Sequence, residues 1–495
     1  MNILSEKIVS YSKTEYPDYP QCAPYSPSVK YPEYHFDDLG GDNYAYATVR
    51  EALYELGLDA NNYGKKEWNP LGGIITPGDS VLVKPNMVLD CHENNGELYS
   101  VITHPSIIRA VCDYVCIALG SSGSITIADA PQANANFNRL ITEMALDKIV
   151  EYYKTNSGIS VSVLDLRQMV LNSYDDSSSR RTQSGDPMGY RIVDLSKESE
   201  YEELENIERI YGADFDRSEV FEHHSEGRHE YCIAQSILNA QVIINIPKLK
   251  THRKAGVTLA MKNFVGINGN KNYLPHFRIG AYDEGGDEFQ KLSARQKNVT
   301  HINRFFKDKL LARKSIVSDR IYRFAANFYH TLKKIHVVEN TSGLLGAGSW
   351  YGNDTIWRMI VDLNRILIYV DRNGKLCNEP QRKVICIIDG IWAGEKDGPL
   401  RPEAVKAGVV VCGINPLLTD TVTTKLIGLN YKLIPQICNA YTSKHKMYML
   451  TSVCDKDIVI HYQGKSKSLN SLLPICYLEP AEGWTNILQQ KEANI

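Results

Sequence analysis

From residue 80 onward, short apolar runs alternate with amphipathic stretches. Ser80-Val-Leu-Val-Lys84 and Ser124-Ile-Thr-Ile-Ala128 read as buried strands, and Pro105 to Leu119 between them as a helix with proline in its first turn. Further strands are expected at Ser160 to Leu164, Gln241 to Asn245, Arg365 to Val370, Lys383 to Ile388 and Gly408 to Cys412, with helices near 137–153, 256–265 and 416–428. This alternation predicts an α/β protein with one mainly parallel sheet or two. We divide it into a first lobe over 41–289 and a second, with the C-terminal tail, over 336–495. Residues 1–40, rich in tyrosine and proline and without helix or strand periodicity, are expected to form an extended arm.

Two segments interrupt the alternation. Residues 167–230 are polar, with a loop expected at Ser177 to Ser184 and an acidic helix at Glu198 to Glu208. Residues 290–335 predict a long, basic, helical insertion. Within it Ile302, Phe305, Phe306, Leu310, Leu311, Ile316, Val317, Ile321, Phe324, Phe328 and Leu332 recur at helical intervals and define one apolar face. Arg304, Lys307, Lys309, Arg313, Lys314, Arg320, Arg323, Lys333 and Lys334 face only Asp308 and Asp319 as opposing charges. Such a helix either packs on the sheet as a hairpin or lid, or makes peripheral contact with an anionic membrane through 302–334.

Composition narrows the function classes. Across 495 residues, 55 Lys+Arg stand against 58 Asp+Glu, so the totals imply no nucleic-acid partner. The amino terminus reaches Glu6 and Lys7 before an apolar leader can form, and no apolar run approaches the roughly 18 residues of a membrane span. A cytoplasmic location is expected, peripheral to the membrane's inner face if the basic helix docks there. The 11 cysteines contain no C-x-x-C, which argues against a disulfide framework and against a zinc or iron–sulfur site built from one chain. Cys112 and Cys116 read as core residues of their helix, and a cluster shared between chains stays open.

The densest chemistry lies in Asn245-Ile-Pro-Lys-Leu-Lys-Thr-His-Arg-Lys254, followed by Thr258, Lys262, Asn263 and Gly266. A buried strand leading into a cationic loop and then a helix start forms an anion site, with a solvated basic loop as the plainer alternative. Polar residues also stand at the carboxyl ends of expected strands: Lys84 and Asn86, Asp129, Lys248 and Asp389. In parallel sheets ligands bind at those ends. Lys84, Asn86, Lys248, Lys250, Lys262 and Asn263 are therefore the expected substrate-binding residues, with His252, Asp129, Asp389 and Asp420 for acid–base work. Asp389 heads a glycine-rich stretch to Pro399 that reads as a carboxylate-lined turn, able to take a divalent cation or none. Asp420 either faces the same crevice or is a first-turn acid of its helix. His223, His224 and His229 match no standard metal spacing. No phosphate-loop, dinucleotide or nucleophile-elbow pattern is present.

Val83-Lys-Pro-Asn86, Thr103-His-Pro105, Ile127-Ala-Asp129, Asn245-Ile-Pro-Lys-Leu-Lys-Thr-His252 through Lys262-Asn-Phe-Val-Gly266, Ile388-Asp-Gly390 and Gly398-Pro399, and Asn415 to Gly428 resemble, in order, the domain-of-unknown-function family numbered 362. That family has no established general activity. The longer run around Gly185 to Leu195, with Gly269 to His276 and Gly285 to Glu288, resembles a bacterial subgroup found in surface-polysaccharide gene neighbourhoods. Many members carry a ferredoxin-like cysteine motif, which this chain lacks. The family is also similar in fold to nickel-pincer lactate racemases, whose two lobes close over a cofactor and a hydroxy acid; their metal-ligating histidine pattern has no counterpart here. The expected function is an enzyme acting on a carboxylate- or phosphate-bearing small molecule by Lys/His/Asp acid–base chemistry. The alternatives are an iron–sulfur or nickel-cofactor redox or isomerase protein, and a non-catalytic accessory that docks on a membrane or partner.

Overall fold

The computed structural model describes residues 5–173, 177–212, 217–311, 315–324 and 345–488. Its centre is one sheet of 11 strands. In chain order these are β1 (Ile8–Lys13), β2 (Ser80–Pro85), β3 (Ser124–Asp129), β4 (Ser160–Asp165), β5 (Val242–Ile246), β6 (Lys248–His252), β7 (Gly256–Thr258), β8 (Lys383–Asp397), β9 (Arg401–Gly413), β10 (Val459–Tyr462) and β11 (Lys465–Ser468). The helices that matter below are α1 (Tyr44–Glu55), α2 (Pro105–Leu119), α3 (Phe137–Glu143), α4 (Leu146–Asn156), α5 (Ala260–Asn263), α6 (Ala294–Leu311), α7 (Ile356–Tyr369) and α8 (Pro416–Leu426).

The main path of the sheet runs β11-β10-β1-β9-β8-β5-β2-β3-β4. From β8 to β4 all neighbours are parallel, whereas β9 pairs antiparallel with both β8 and β1. β6 continues the chain just beyond β5, pairs with the second half of β8 and carries β7 on its other edge. The mixed α/β class with a mainly parallel sheet is thus present. Strands expected on either side of residue 336 share it, since β5 and β8 are hydrogen-bonded from Val242/Lys383 to Asn245/Cys386.

Both faces of this sheet are covered, which is why its strands are apolar almost throughout. Successive residues point to opposite faces. Val81, Val83, Ile244, Ile246, Ile385 and Ile387 pack with α1, α2 and α4, while Leu82, Ile243, Cys386, Ile388, Val409 and Val411 pack with α7 and α8. α2 begins as its sequence suggests: the His104 ring nitrogen accepts from the Ser106 amide, Pro105 fills the first turn, and Cys112 and Cys116 are buried.

Several local expectations are corrected. Of Arg365 to Val370, read as a strand, Arg365 to Tyr369 is the end of α7 and only Val370, just past it, is extended; the longer window from Ile356 carries apolar residues at helical spacing, and the 14-residue helix buries them. The stretch from Asp389 toward Pro399 is not a turn but the second half of β8, paired with β9 as far as Asp397/Arg401. Lys248–His252 is a buried strand, not a loop. The 256–265 region is a short strand and a single turn of helix. Glu198 to Glu208 is turns and 3-10 segments without a continuous helix. Ile8–Lys13, inside the expected arm, is a strand held on both sides by β9 and β10, partners from the far end of the chain, Val409 to Gly413 and Val459 to His461, that no local pattern can announce. Of the 290–335 insertion, helix is present over Ala294–Leu311 and 316–324; residues 325–335 lie outside the described residues.

Candidate functional site

The carboxyl ends of β2, β3 and β5 open on a cavity of about 410 Å³, floored by β6, β7 and α5 and walled by the 130–134 loop and residues 265–276. A volume of this size is in the range of small-molecule sites. Asn86, Asp129, Lys250, His252, Lys262 and Asn263 all line it, so six of the ten expected site residues meet in one crevice.

A chain of amides sets the floor. Lys250 Nζ lies 3.5 Å from Asn86 Oδ1, Asn86 Nδ2 donates to Asn263 Oδ1 at 3.1 Å, Asn263 Nδ2 donates to Asn245 Oδ1 at 2.8 Å, and Asn245 Nδ2 donates to the Ala260 carbonyl at 2.9 Å. These bonds lock β2, β5, β6 and α5 together, so the cavity's shape is held by groups whose own hydrogen bonds are made. Lys84 is wholly buried beneath it, 2.7 Å from Asp129, whose other oxygen accepts from the Met87 amide at 2.7 Å. Burial pulls the Lys84 ammonium down from the usual lysine range although Asp129 opposes the shift. Gly266 makes that pair possible: a Cβ there would stand 1.9 Å from Asp129 Oδ1 and 2.8 Å from Lys84 Nζ.

Cations dominate the lining. Lys250, Arg253, Lys254, Lys262 and Lys271 line the cavity with only Asp129 and Glu93 as carboxylates. Lys250 donates to the Val101 and Pro399 carbonyls, and Lys271 to the Ala130 carbonyl at 2.8 Å. The ammonium groups of Lys254 and Lys262 make no hydrogen bond or ion pair with any described residue; that of Lys254 rests 5.1 Å from the centre of the Phe277 ring. Burial pushes Lys262 down to about 8. Burial, reinforced by Arg253 and Lys262, pushes Lys254 down to about 7; Lys271 is pushed to about 7 by burial, with Asp129 opposing. Lys250 is held well below the usual range by burial and then by Lys248 and Lys262. These shifts share one leading cause, the burial of an ammonium group. Thr258 Oγ1 and Asn134 Oδ1, also in the lining, are buried without a hydrogen-bond partner among the described residues.

Two histidines in the lining are fixed in opposite tautomers. His252 Nδ1 accepts from the Lys254 amide at 3.0 Å and the Ala255 amide at 3.1 Å, so its proton is on Nε2 and the ring is a donor to the cavity. His276 Nδ1 lies 2.8 Å from the Leu274 carbonyl, to which it must donate, so its Nε2 carries a lone pair. Burial, then the surrounding lysines, pushes both rings well below the usual histidine range. His252 is accordingly a neutral N–H donor, and His276 is the imidazole with a free basic nitrogen.

Four expected site residues are elsewhere or beneath. Lys84 supports Asp129 from below. Lys248 and Asp389 form a wholly buried pair at 3.0 Å, closed by Tyr19, whose hydroxyl donates to Asp389 at 2.6 Å and accepts from Lys248 at 2.8 Å. The Tyr19 ring stacks on His104 at 3.9 Å, and the His104 amide donates to the second Asp389 oxygen at 2.9 Å. That network joins the arm, β6, β8 and the start of α2. Asp420 accepts from the Ala260 and Met261 amides at 2.7 and 2.9 Å and caps α5 from α8, with burial pushing its carboxyl up to about 8. None of these three lines the cavity. Conversely, Lys271, His276 and Asn134 line it without having been singled out; only their place in a glycine-rich run or loop near the cationic segment hinted at them.

The family resemblance raises iron–sulfur and nickel groups, and the donors do not fit them. Among the described residues no group of three or more His, Cys, Asp or Glu is placed to hold a metal. His224 and His229 are instead buried beside Tyr201 in a small antiparallel sheet, and the cysteines of the main sheet, Cys386 and Cys412, are core residues.

A family model described as a domain of unknown function (DUF362) matches residues 176–425. No curated protein shows a match to the chain. Among solved structures the chain is similar to a Thermotoga maritima protein crystallised by a structural genomics consortium, at 7% identity and a TM-score of 0.30, over 80% of this chain and 59% of that one. A likeness at that level carries no argument.

Proposed function

The chain belongs to the DUF362 family, which brings no activity with it, and from its cavity we propose that it binds a small molecule bearing carboxylate or phosphate groups and acts on it by proton transfer. The observation that carries this reading is the pair of half-buried ammonium groups, Lys254 and Lys262, left without counter-ions in a cavity whose other charges are mostly positive. Desolvated cations without partners are costly, and an anionic ligand would remove that cost. Lys254, Lys262 and Arg253 would hold the anion, with Thr258 and Asn134 supplying hydrogen bonds.

The two histidines supply the chemistry in this reading. His252, donating through Nε2, would polarise a carbonyl or hold developing negative charge without giving up its proton, because Nδ1 is occupied by two amides. His276 Nε2, or Lys271 near neutrality, would take a proton from the bound molecule. Asp129, anchored by Lys84, would orient a hydroxyl. Asp389 and Asp420 have no part in it. The resemblance to the subgroup of polysaccharide neighbourhoods makes sugar phosphates and sugar acids the first compounds to try.

The test is calorimetric titration of the protein with inorganic phosphate, sugar phosphates and hydroxy acids, alongside Lys262→Met and Lys254→Met. Each substitution removes one charged contact and should weaken binding roughly tenfold to a hundredfold. Equal affinity in wild type and both variants would sink the assignment.

A further inference from the structure

Helix α6 and the helical residues 316–324 are amphipathic in the opposite sense to an ordinary surface helix. Their inward contacts are polar. Arg304 is paired with Glu288 and lies 4.7 Å from the centre of the Tyr211 ring, Asp308 accepts from the Tyr211 hydroxyl at 3.3 Å, and Lys297 meets Asp283 at 2.7 Å. Asp319 is buried and accepts from the Ser178 amide at 2.8 Å. Their outward side is apolar: Ile302 is 57% exposed, Ile316 61%, Val317 67%, Ile321 50% and Phe324 76%. Lys309, Arg320 and Arg323 are exposed with them, and none of the exposed described side chains from 301 to 324 is acidic. The only two carboxylates of this stretch, Asp308 and Asp319, are both turned to the protein.

We propose that this face docks on an anionic lipid bilayer surface. Five large apolar side chains held out to solvent on a short stretch need a covering. The charge pattern selects which one: cations interleaved with apolar groups, with every acid withdrawn, complement a layer of negative headgroups over hydrocarbon. A second copy fits poorly, because the same face on both chains would bring cations together with no exposed acid among the described residues of 301–324 to pair with them. No helix among the described residues is long and apolar enough to cross a membrane, so the contact is peripheral. The proposal is independent of the cavity and of what it binds.

Flotation of the full chain with phosphatidylcholine vesicles, with and without phosphatidylserine, tests it. The protein should float with the anionic vesicles only, and high salt should release it. Arg320→Gln with Arg323→Gln should weaken the partition about thirtyfold, and Ile316→Ser with Val317→Ser and Ile321→Ser should abolish it, all with unfolding midpoints near wild type because the sites are exposed. No flotation on anionic vesicles, or flotation that is indifferent to lipid charge and to the arginines, overturns the proposal. A wild-type dimer in solution that the same substitutions disperse also overturns it, giving the face to a second copy.

Discussion

Lys248 and Lys262 lie 14 positions apart on one short segment, yet the fold treats them in opposite ways. Lys248 is sealed between Asp389 and the Tyr19 hydroxyl, with no access to the cavity. Lys262, in the cavity wall, meets no carboxylate among the described residues. The cost of desolvating an ammonium is the same in kind at both places. In one it is offset by the protein's own anion, in a network that ties four elements together; in the other no carboxylate among the described residues offsets it. A lysine-rich segment is therefore not one unit but two halves, one paired inside the fold and one facing the cavity, divided by where the fold supplies counter-charge.

The sharpest way to break this comparison is Asp389→Asn. It leaves Lys248 buried without its anion and should destabilise the protein by about 3–5 kcal/mol, read as a lowered urea midpoint. The Lys262→Met change should do the reverse, costing ligand affinity and little or no stability, since it removes an unpaired buried charge. If both variants lost stability alike, the distinction between the two halves would fail.

Gly266→Ala lies between the two cases. Its methyl would press on the Lys84–Asp129 pair from the cavity side, and overpacking of this kind costs about 1–3 kcal/mol. It should lower both the melting temperature and the affinity for anions, whereas wild-type behaviour in both would show that the pair can shift without consequence.

The smallest effect is in pH dependence. Lys254 and Lys271 at about 7, and Lys262 at about 8, lie below the lysine range of an unfolded chain. Between those values and about 10.4 the unfolded chain binds more protons than the native one, so these groups make the unliganded protein more stable as pH rises; their cost is fully present below about 7. A bound anion would raise all three. Binding should therefore take up protons and weaken as pH climbs from about 7 to 9, which titration calorimetry in buffers of different ionisation enthalpy will show. Proton release on binding would contradict the cationic reading.

Much of this was legible before any fold was known. The apolar runs at Ser80, Ser124, Ser160, Val242, Lys383 and Gly408 are strands because a sheet covered on both faces needs continuous hydrophobic strands, a demand that acts residue by residue along the chain. The density of cations from Lys248 to Lys262 likewise pointed to the lining of one cavity, where Lys250, Arg253, Lys254 and Lys262 stand. Run-length reasoning failed where neighbours in space decide: Arg365 to Tyr369 is helical because its partners lie four residues back, and Ile8–Lys13 is a strand because β9 and β10 come to it from the far end of the chain.

What the sequence determined by itself is the class of fold and the type of charge gathered at its strand ends, since both follow from local pattern and composition. Which lysines line the cavity was decided only by tertiary structure. So were the structural roles of Asp389 and Asp420, and the outward turn of the apolar residues on the basic helices. In each case a charge or a proton is placed by its partner, and the partner comes from a distant part of the chain: Tyr19 for Asp389, Ala260 for Asp420, Tyr211 for Asp308.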